Sequence, residues 1–285
     1  MKSVDIVECH RVLLSIAVEF DRICRKYGMP YYMIGGTMLG AVRHQGFIPW
    51  DDDMDFGVPR VWFDRLPAIL SAELPPHLRV WLLNKPDVCT SNFIKIDDSR
   101  THLSYRGLEW ITGLGINIDV FPLDDGLKTP LATRLFARYI LLCLRLKDLL
   151  SIDPAIRRGF KKWTARTVRF LFPVSAGRLL SHVEKCIRKH AAAASGHYVN
   201  YYGAWGLKEV VDKKHFGRPR EYPFDRFRFF GPAGADAYLT RLYGNYMELP
   251  PPEKRTSHTG GQYAADEDES LFEQTVTQDQ DAGAR

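Results

Sequence analysis

Two neighbouring stretches decide how this chain is read: Tyr32-Met33-Ile34-Gly35-Gly36-Thr37 and, shortly after it, Trp50-Asp51-Asp52-Asp53-Met54-Asp55-Phe56-Gly57. The first opens with a short β-prone run, is stopped by a glycine pair, and offers Thr37 as the cap of a helix reaching about Val42. The second predicts a strand over residues 53–58. Residues two apart on a strand share a face, so Asp53 and Asp55 project together while Met54 and Phe56 enter the core. Two carboxylates held at one point raise each other's pKa, and a divalent cation removes the conflict. Oxygen-only ligands select Mg²⁺ or Mn²⁺.

Working outward, a helix is predicted over 4–27, ended by Gly28 and Pro30, and another over 61–70. Further strands are expected over 79–83, 92–96 and 116–121. This mixture implies an α/β or α+β core. In the last strand Ile116, Ile118 and Val120 share one face and Asn117 and Asp119 the other, so Asp119 is a third candidate ligand. Three carboxylates on adjacent strands can hold two ions about 3.5–4 Å apart, the arrangement used in phosphoryl transfer. Gly35 and Gly36 let a backbone approach a phosphate at a helix start, with Thr37 beside them, and Arg43 is a candidate phosphate clamp. Asp51, Asp52 and Lys95 are candidate substrate contacts. The bland readings stand beside these: an acidic run is also a solvated turn, a glycine pair a bend, and a strand lysine an exposed one. A calcium loop beginning at Asp51 fails, because Phe56 stands where glycine is required and Trp62 where a bidentate glutamate is required.

The whole chain has 285 residues, 45% hydrophobic and 26% charged, which excludes collagen-like, disordered and disulfide-scaffold classes for most of its length. Its five cysteines, Cys9, Cys24, Cys89, Cys143 and Cys186, form no C-x-x-C pair and fit reduced thiols. Asp5 and Glu8 interrupt any signal-like apolar run, and no segment is long enough to cross a bilayer, so a cytoplasmic protein is expected. The net charge of +5 conceals three unlike parts. Residues 128–189 hold fifteen basic and three acidic side chains, a balance of +12, in a mainly helical segment interrupted near Pro154 and Pro173. Within it Arg134, Arg138 and Arg145 fall inside about 40° of a helix. Either this is a solvated basic face or it docks on an anionic membrane or a lipid-linked glycan. Residues 197–258 are rich in Tyr, Phe, Gly and Pro and suggest an irregular packed region with a helix over 235–243. Beyond residue 260, seven acids against one base suggest a disordered tail.

The stretch from Tyr32 to Asp55, including Gly40-Ala41-Val42-Arg43-His44-Gln45-Gly46-Phe47-Ile48-Pro49, resembles the signature of the LicD family of phosphotransferases, relatives of the fukutin-type ribitol-phosphate transferases. Lys95-Ile96, Gly115-Ile116-Asn117-Ile118-Asp119-Val120-Phe121-Pro122-Leu123-Asp124 and Leu242-Tyr243-Gly244-Asn245-Tyr246-Met247-Glu248-Leu249-Pro250-Pro251 extend the likeness, and Lys254, Arg255 and His258 match a terminal segment of the family. The resemblance implies an α+β, nucleotidyltransferase-like fold of the polymerase-β type with a mixed sheet. The implied organisation is a catalytic core over 1–126, a basic helical region over 127–196, a C-terminal part of the catalytic unit over 197–260, and a tail over 261–285. It implies Asp53, Asp55 and Asp119 as catalytic metal ligands for Mg²⁺ or Mn²⁺, and Gly35, Gly36 and Thr37 around the donor phosphates. Asp119 is also a candidate general base, and His258 a candidate substrate contact. The implied reaction moves a phospho-alcohol, phosphocholine or a polyol phosphate, from a CDP-linked donor to a hydroxyl of a cell-surface glycan, releasing CMP. Aromatic residues for a choline cage are available in Trp50, Tyr105, Trp110, Tyr201, Tyr202 and Trp205. No nucleic-acid partner is expected. The competing readings are a basic glycan- or membrane-binding protein without catalysis and a nucleotidyltransferase that makes the activated donor.

Overall fold

The computed structural model describes residues 2–82, 92–104, 113–151, 170, 174–190, 195–257 and 262–265. They group into two compact units, one drawn from Met1–Trp81, Ile94–Pro122 and His215–Arg285, the other from Leu82–Phe93 and Leu123–Lys214. Residues 197–214, read from the sequence with the C-terminal part of the core, therefore group with the basic helices.

The first unit begins with β1 (Lys2–Ser3) and α1 (Ile6–Lys26). Asp5 caps α1 by accepting the Glu8 amide at 2.8 Å, and the Glu8 carboxylate accepts the Asp5 amide at 3.1 Å, so two otherwise orphaned donors are satisfied. Its buried stripe is Cys9, Val12, Leu13, Ile16, Ala17, Phe20, Ile23 and Cys24, at helical spacing, while Val7 faces solvent. Next come β2 (Tyr32–Met33), α2 (Gly35–Arg43) and β3 (Asp55–Pro59). The single helix expected over 61–70 is two pieces, α3 (Arg60–Phe63) and α4 (Leu66–Glu73), with Pro67 in the first turn of the second. Proline has no amide to carry a helix ladder across that point.

After these follow β4 (Leu78–Leu82), β5 (Ile94–Asp98), β6 (Thr101–Ser104) and β7 (Asn117–Asp125). The central sheet runs β2-β3-β7-β5-β4. β2 and β3 are antiparallel, with Met33 opposite Phe56, and β5 and β7 are antiparallel, with Lys95 opposite Asp119. The Asp119 amide donates to the Met54 carbonyl at 2.9 Å, which brings the two acidic strands side by side. Met54, Phe56, Ile116, Ile118 and Val120 are buried, as their alternation predicts. The strand starts at Asp55 rather than 53, so Asp53 lies just ahead of the ladder.

The second unit holds α5 (Pro130–Ser151), α6 (Ala176–His190), β8 (His197–Val199) and β9 (Val210–Asp212). The end of β7 pairs with β8, and β8 with β9. Ala137, Ile140 and Cys143 of α5 and Val183 and Ile187 of α6 form its core with Val199, Tyr201 and Val210. The predicted interruptions at Pro154 and Pro173 lie outside the described residues.

After the turn α7 (Lys213–Phe216), the chain returns to the first unit with a hairpin, β10 (Arg220–Phe224) and β11 (Phe227–Gly231), and with α8 (Ala235–Tyr243). The hairpin replaces the irregular stretch expected there. Its two-residue turn places Asp225 at φ +51°, and its aromatic faces meet Tyr31, Phe47 and Phe56. β12 (Gln262–Ala265) pairs with both β1 and β6, so the first residues of the supposed tail complete a three-stranded sheet. Paired backbone amides hold this segment despite the acids that follow it. Among the described residues no helix is long and apolar enough to cross a membrane.

Candidate active site

The site is built on the turn between β2 and α2. Gly35 has φ +54°, a conformation costly for any residue with a Cβ. A Cβ on Gly35 would lie 3.2 Å from Asp55 Oδ2, and one on Gly36 only 2.7 Å from Asp51 Oδ2. The absent side chains are what allow two carboxylates to close on the turn. Thr37 does not cap α2, contrary to the sequence reading: the helix begins at Gly35 behind Ile34, with no side-chain cap. Instead the buried Thr37 hydroxyl accepts the Asp55 amide at 2.7 Å, while the Ile34 amide donates to the Asp55 carbonyl at 3.1 Å. Asp55 is thus fixed to the turn through both backbone groups. Thr37→Val removes the acceptor of a buried amide and is expected to destabilise the protein by about 1–3 kcal/mol in urea unfolding.

Asp51 and Asp52 are buried, and Asp53, Asp55 and Asp119 are half-buried. The loop that carries the first three is tied down from several sides. His10 Nε2 donates to the Asp51 carbonyl at 2.7 Å, and the Tyr263 hydroxyl donates to Asp52 Oδ2 at 2.5 Å. The His10 ring stacks on Phe47 at 3.9 Å. Gly40 lets the loop fold back, because a Cβ there would lie 2.5 Å from the Gly46 carbonyl oxygen. That contact is with backbone, which cannot swing aside, so Gly40→Ala is expected to cost about 1–3 kcal/mol of stability by the same unfolding measurement.

Asp119 faces Lys95, whose ammonium lies 2.5 Å from Asp119 Oδ1 and 2.9 Å from Asn117 Oδ1. Lys95 is 8% exposed, so it is not the solvent-facing strand lysine of the bland reading. Burial and the neighbouring Asp53 and Asp52 push Asp51 up to about 8, with a hydrogen bond to Asp53 in the same direction and Arg43 opposing it. Burial, then Asp53, Asp119 and Asp51, hold Asp55 well above the usual carboxylate range, against the pull of Lys95. Burial raises Asp119 too, and Lys95 opposes it. Ionising all of these carboxylates together would therefore place more negative charge in the site than Lys95 and Arg43 offset, which is why the uncharged form is favoured.

The other expected contacts fall variously. The Gly35 amide, assigned to a donor phosphate, donates to the Tyr238 hydroxyl of α8 at 3.0 Å. Arg43 Nη1 donates to the carbonyls of Tyr246 at 2.8 Å and Glu248 at 3.3 Å, so the guanidinium anchors the motif over 242–251 to α2. Arg255 lies over the Trp50 ring at 5.4 Å. His258, Tyr105, Trp110 and Cys89 lie outside the described residues. Tyr201 is buried in the core of the second unit, where an aromatic residue needs no ligand to explain it. Sequence reasoning missed Tyr238 and Tyr263, which reach the site from positions remote in the chain and carry no local motif.

Residues 28–124 match the family described as LicD/FKTN/FKRP, nucleotidyltransferase domain. The chain carries a LicD-family domain. It includes the glycine turn, the three acids of the loop, Lys95 and Asp119, whereas Tyr238 and Tyr263 lie beyond it. The likeness to the lipopolysaccharide cholinephosphotransferase LicD of Haemophilus influenzae is broader, 27% identity over 268 residues, covering 90% of this chain and 97% of that protein. The human ribitol 5-phosphate transferase FKRP is 40% identical over 50 residues, 18% of this chain and 10% of that protein. An uncharacterised Rickettsia prowazekii protein is 44% identical over 46 residues.

The donor set around the LicD-family turn is entirely carboxylate oxygen, the chemistry that hard divalent cations take. Among the described residues no group of three or more His, Cys, Asp or Glu side chains is arranged as a ready-made metal site. The case for a cation therefore rests on charge and donor type, and Lys95 now occupies one oxygen of Asp119.

Proposed function

We propose that this chain is a metal-dependent phosphotransferase that moves a phospho-alcohol from a CDP-linked donor to a hydroxyl of a surface glycan, releasing CMP. The observation that carries this reading is the carboxylate cluster closed on the glycine turn, with Asp51 and Asp55 pushed far up by burial and mutual repulsion. Such a cluster costs stability unless a cation serves it. Phosphocholine is the first donor to test, because the similarity to the cholinephosphotransferase runs along 97% of that protein and the similarity to the ribitol-phosphate transferase along 10%.

In this reading Asp53, Asp55 and Asp119 hold Mg²⁺ or Mn²⁺. When bound, the ion neutralises the carboxylates and the charge that develops on the transferring phosphoryl group. The chain's own residues position the reactants. The turn at Gly35 and Gly36 gives phosphate oxygens close access to the backbone, and Thr37 fixes Asp55 by its amide. Lys95 holds Asp119 and adds a positive charge beside the developing anion. The acceptor oxygen forms a bond to the phosphorus distal to the nucleoside as the bond from that phosphorus to the bridging oxygen breaks. CMP leaves with the bridging oxygen and its electron pair, and the hydroxyl proton passes to a carboxylate of the cluster.

The test is CMP release from a panel of CDP-alcohols with Mg²⁺, with and without glycan acceptor. Acceptor-dependent CMP release supports the proposal. No turnover with any donor overturns it in favour of a binding protein, and CTP consumption with pyrophosphate release overturns it in favour of synthesis of the activated donor.

A further inference from the structure

The second unit carries a surface that catalysis does not use. Helix α5 has an apolar arc wider than its core contact needs, so that part of it is buried and the adjoining part faces outward. The inner part, with Ala137, Ile140, Cys143 and Leu150, is buried in the unit's core. Outward stand Leu131, Leu135, Tyr139 and Leu142, which are 68%, 54%, 43% and 65% exposed. At 100° per residue these four fall within an arc of about 80°, and Arg138, Arg145 and Arg134 occupy roughly the next 60°. All three arginines are exposed. The acid that borders them, Asp148, is paired with Lys147 at 2.7 Å.

A helix face exposed to water alone gains nothing from a run of leucines between arginines. We infer that the outward face of α5 docks on an anionic lipid surface, lying in the plane of the interface. Leu131, Leu135 and Leu142 would enter the acyl boundary and the arginines would meet lipid phosphates with their stems along the apolar surface, while the Tyr139 hydroxyl, bonded to His182 Nε2 at 2.6 Å, marks the edge of the face toward α6. Charge complementarity favours lipid over a second copy of this chain, since pairing this face with itself would bring like-charged arginine rows together. The sequence adds to the same charge: residues 152–169, which follow the helix, hold six basic side chains against one acid, Asp153, with Phe160 and Trp163 interleaved. This inference stands independently of the catalytic reading.

The experiment is flotation of the full chain with vesicles of phosphatidylcholine alone or with about 30% phosphatidylglycerol. The protein is expected to bind the anionic vesicles at least tenfold more tightly, and binding is expected to weaken as salt rises from about 0.1 to 0.5 M. Leu135→Glu with Leu142→Glu, and separately Arg138→Glu with Arg145→Glu, should each lower vesicle affinity about tenfold or more with unchanged melting temperature. The salt titration of the unaltered chain tests the electrostatic part without any variant. Absence of binding to both vesicle types overturns the inference, as does equal binding by the leucine variant. A concentration-dependent dimer lost in that variant also overturns it, assigning the face to self-association.

Discussion

Asp55→Asn is expected to lower CMP release about 10²–10³-fold or more while raising the melting temperature measured in EDTA. The two effects have one origin. Asp55 sits on the glycine turn, where burial first and then Asp53, Asp119 and Asp51 push its carboxyl away from the charged form. An amide of the same shape keeps the backbone bonds, to the Thr37 hydroxyl and from the Ile34 amide, but removes the charge that repels its neighbours. In the metal-free protein that relief stabilises the fold. In the proposed reaction it would remove one of the carboxylates that would hold the cation, and with it the charge neutralisation the ion would supply. A merely structural Asp55 would give the opposite pairing, lower stability with activity tracking the folded fraction. Assay of CMP release and thermal unfolding of one preparation distinguishes them.

The second large effect is on stability against pH. Asp51 is held at about 8 in the folded chain, against an ordinary 3.8 when exposed in the unfolded chain. Between those values the folded protein binds the proton and the unfolded one does not, so stability present below about pH 4 is lost as pH rises through 8. Three histidines work the other way: burial lowers His10, His44 and His77, so the folded state favours their neutral form. Above about pH 7 their contribution is complete, because they are neutral in both states. In EDTA the melting temperature is therefore expected to fall between about pH 7 and 8.5, by several degrees. Asp51→Asn should flatten that fall, and Mg²⁺ should remove it in the unaltered protein. Calorimetry across that window checks this, and a flat profile without metal would contradict the charge assignment.

How far the sequence carried depends on the distance over which a signal acts. The turn from Tyr32 to Thr37 and the acid-apolar alternation at Asp53–Met54–Asp55–Phe56 are local, and the buried Met54 and Phe56 follow directly from them. The alternation of Ile116 to Val120 likewise placed Asp119 on the polar face, next to the first acidic strand. Thr37 has the composition of a cap, but its partner lies eighteen residues on, and only the pairing of β2 with β3 brings Asp55 to it. Lys95 looked like an ordinary strand lysine until its register opposite Asp119 was known. Tyr238 and Tyr263 reach the turn and the acidic loop from positions that no spacing links to them. The fold of α5 was legible, yet its apolar residues point both inward and outward, and only burial separates the core stripe from the exposed one.

The central claim is that the carboxylates closed on the glycine turn serve a divalent cation. Titration with Mn²⁺, followed by the loss of the free-ion paramagnetic resonance signal up to about 1 mM, tests it without any assumption about donor or acceptor. The unaltered chain is expected to deplete the signal saturably and to release the ion to Mg²⁺, while folded Asp53→Asn with Asp55→Asn leaves the signal unchanged. Equal uptake by the two proteins, or none by the unaltered one, would contradict the claim.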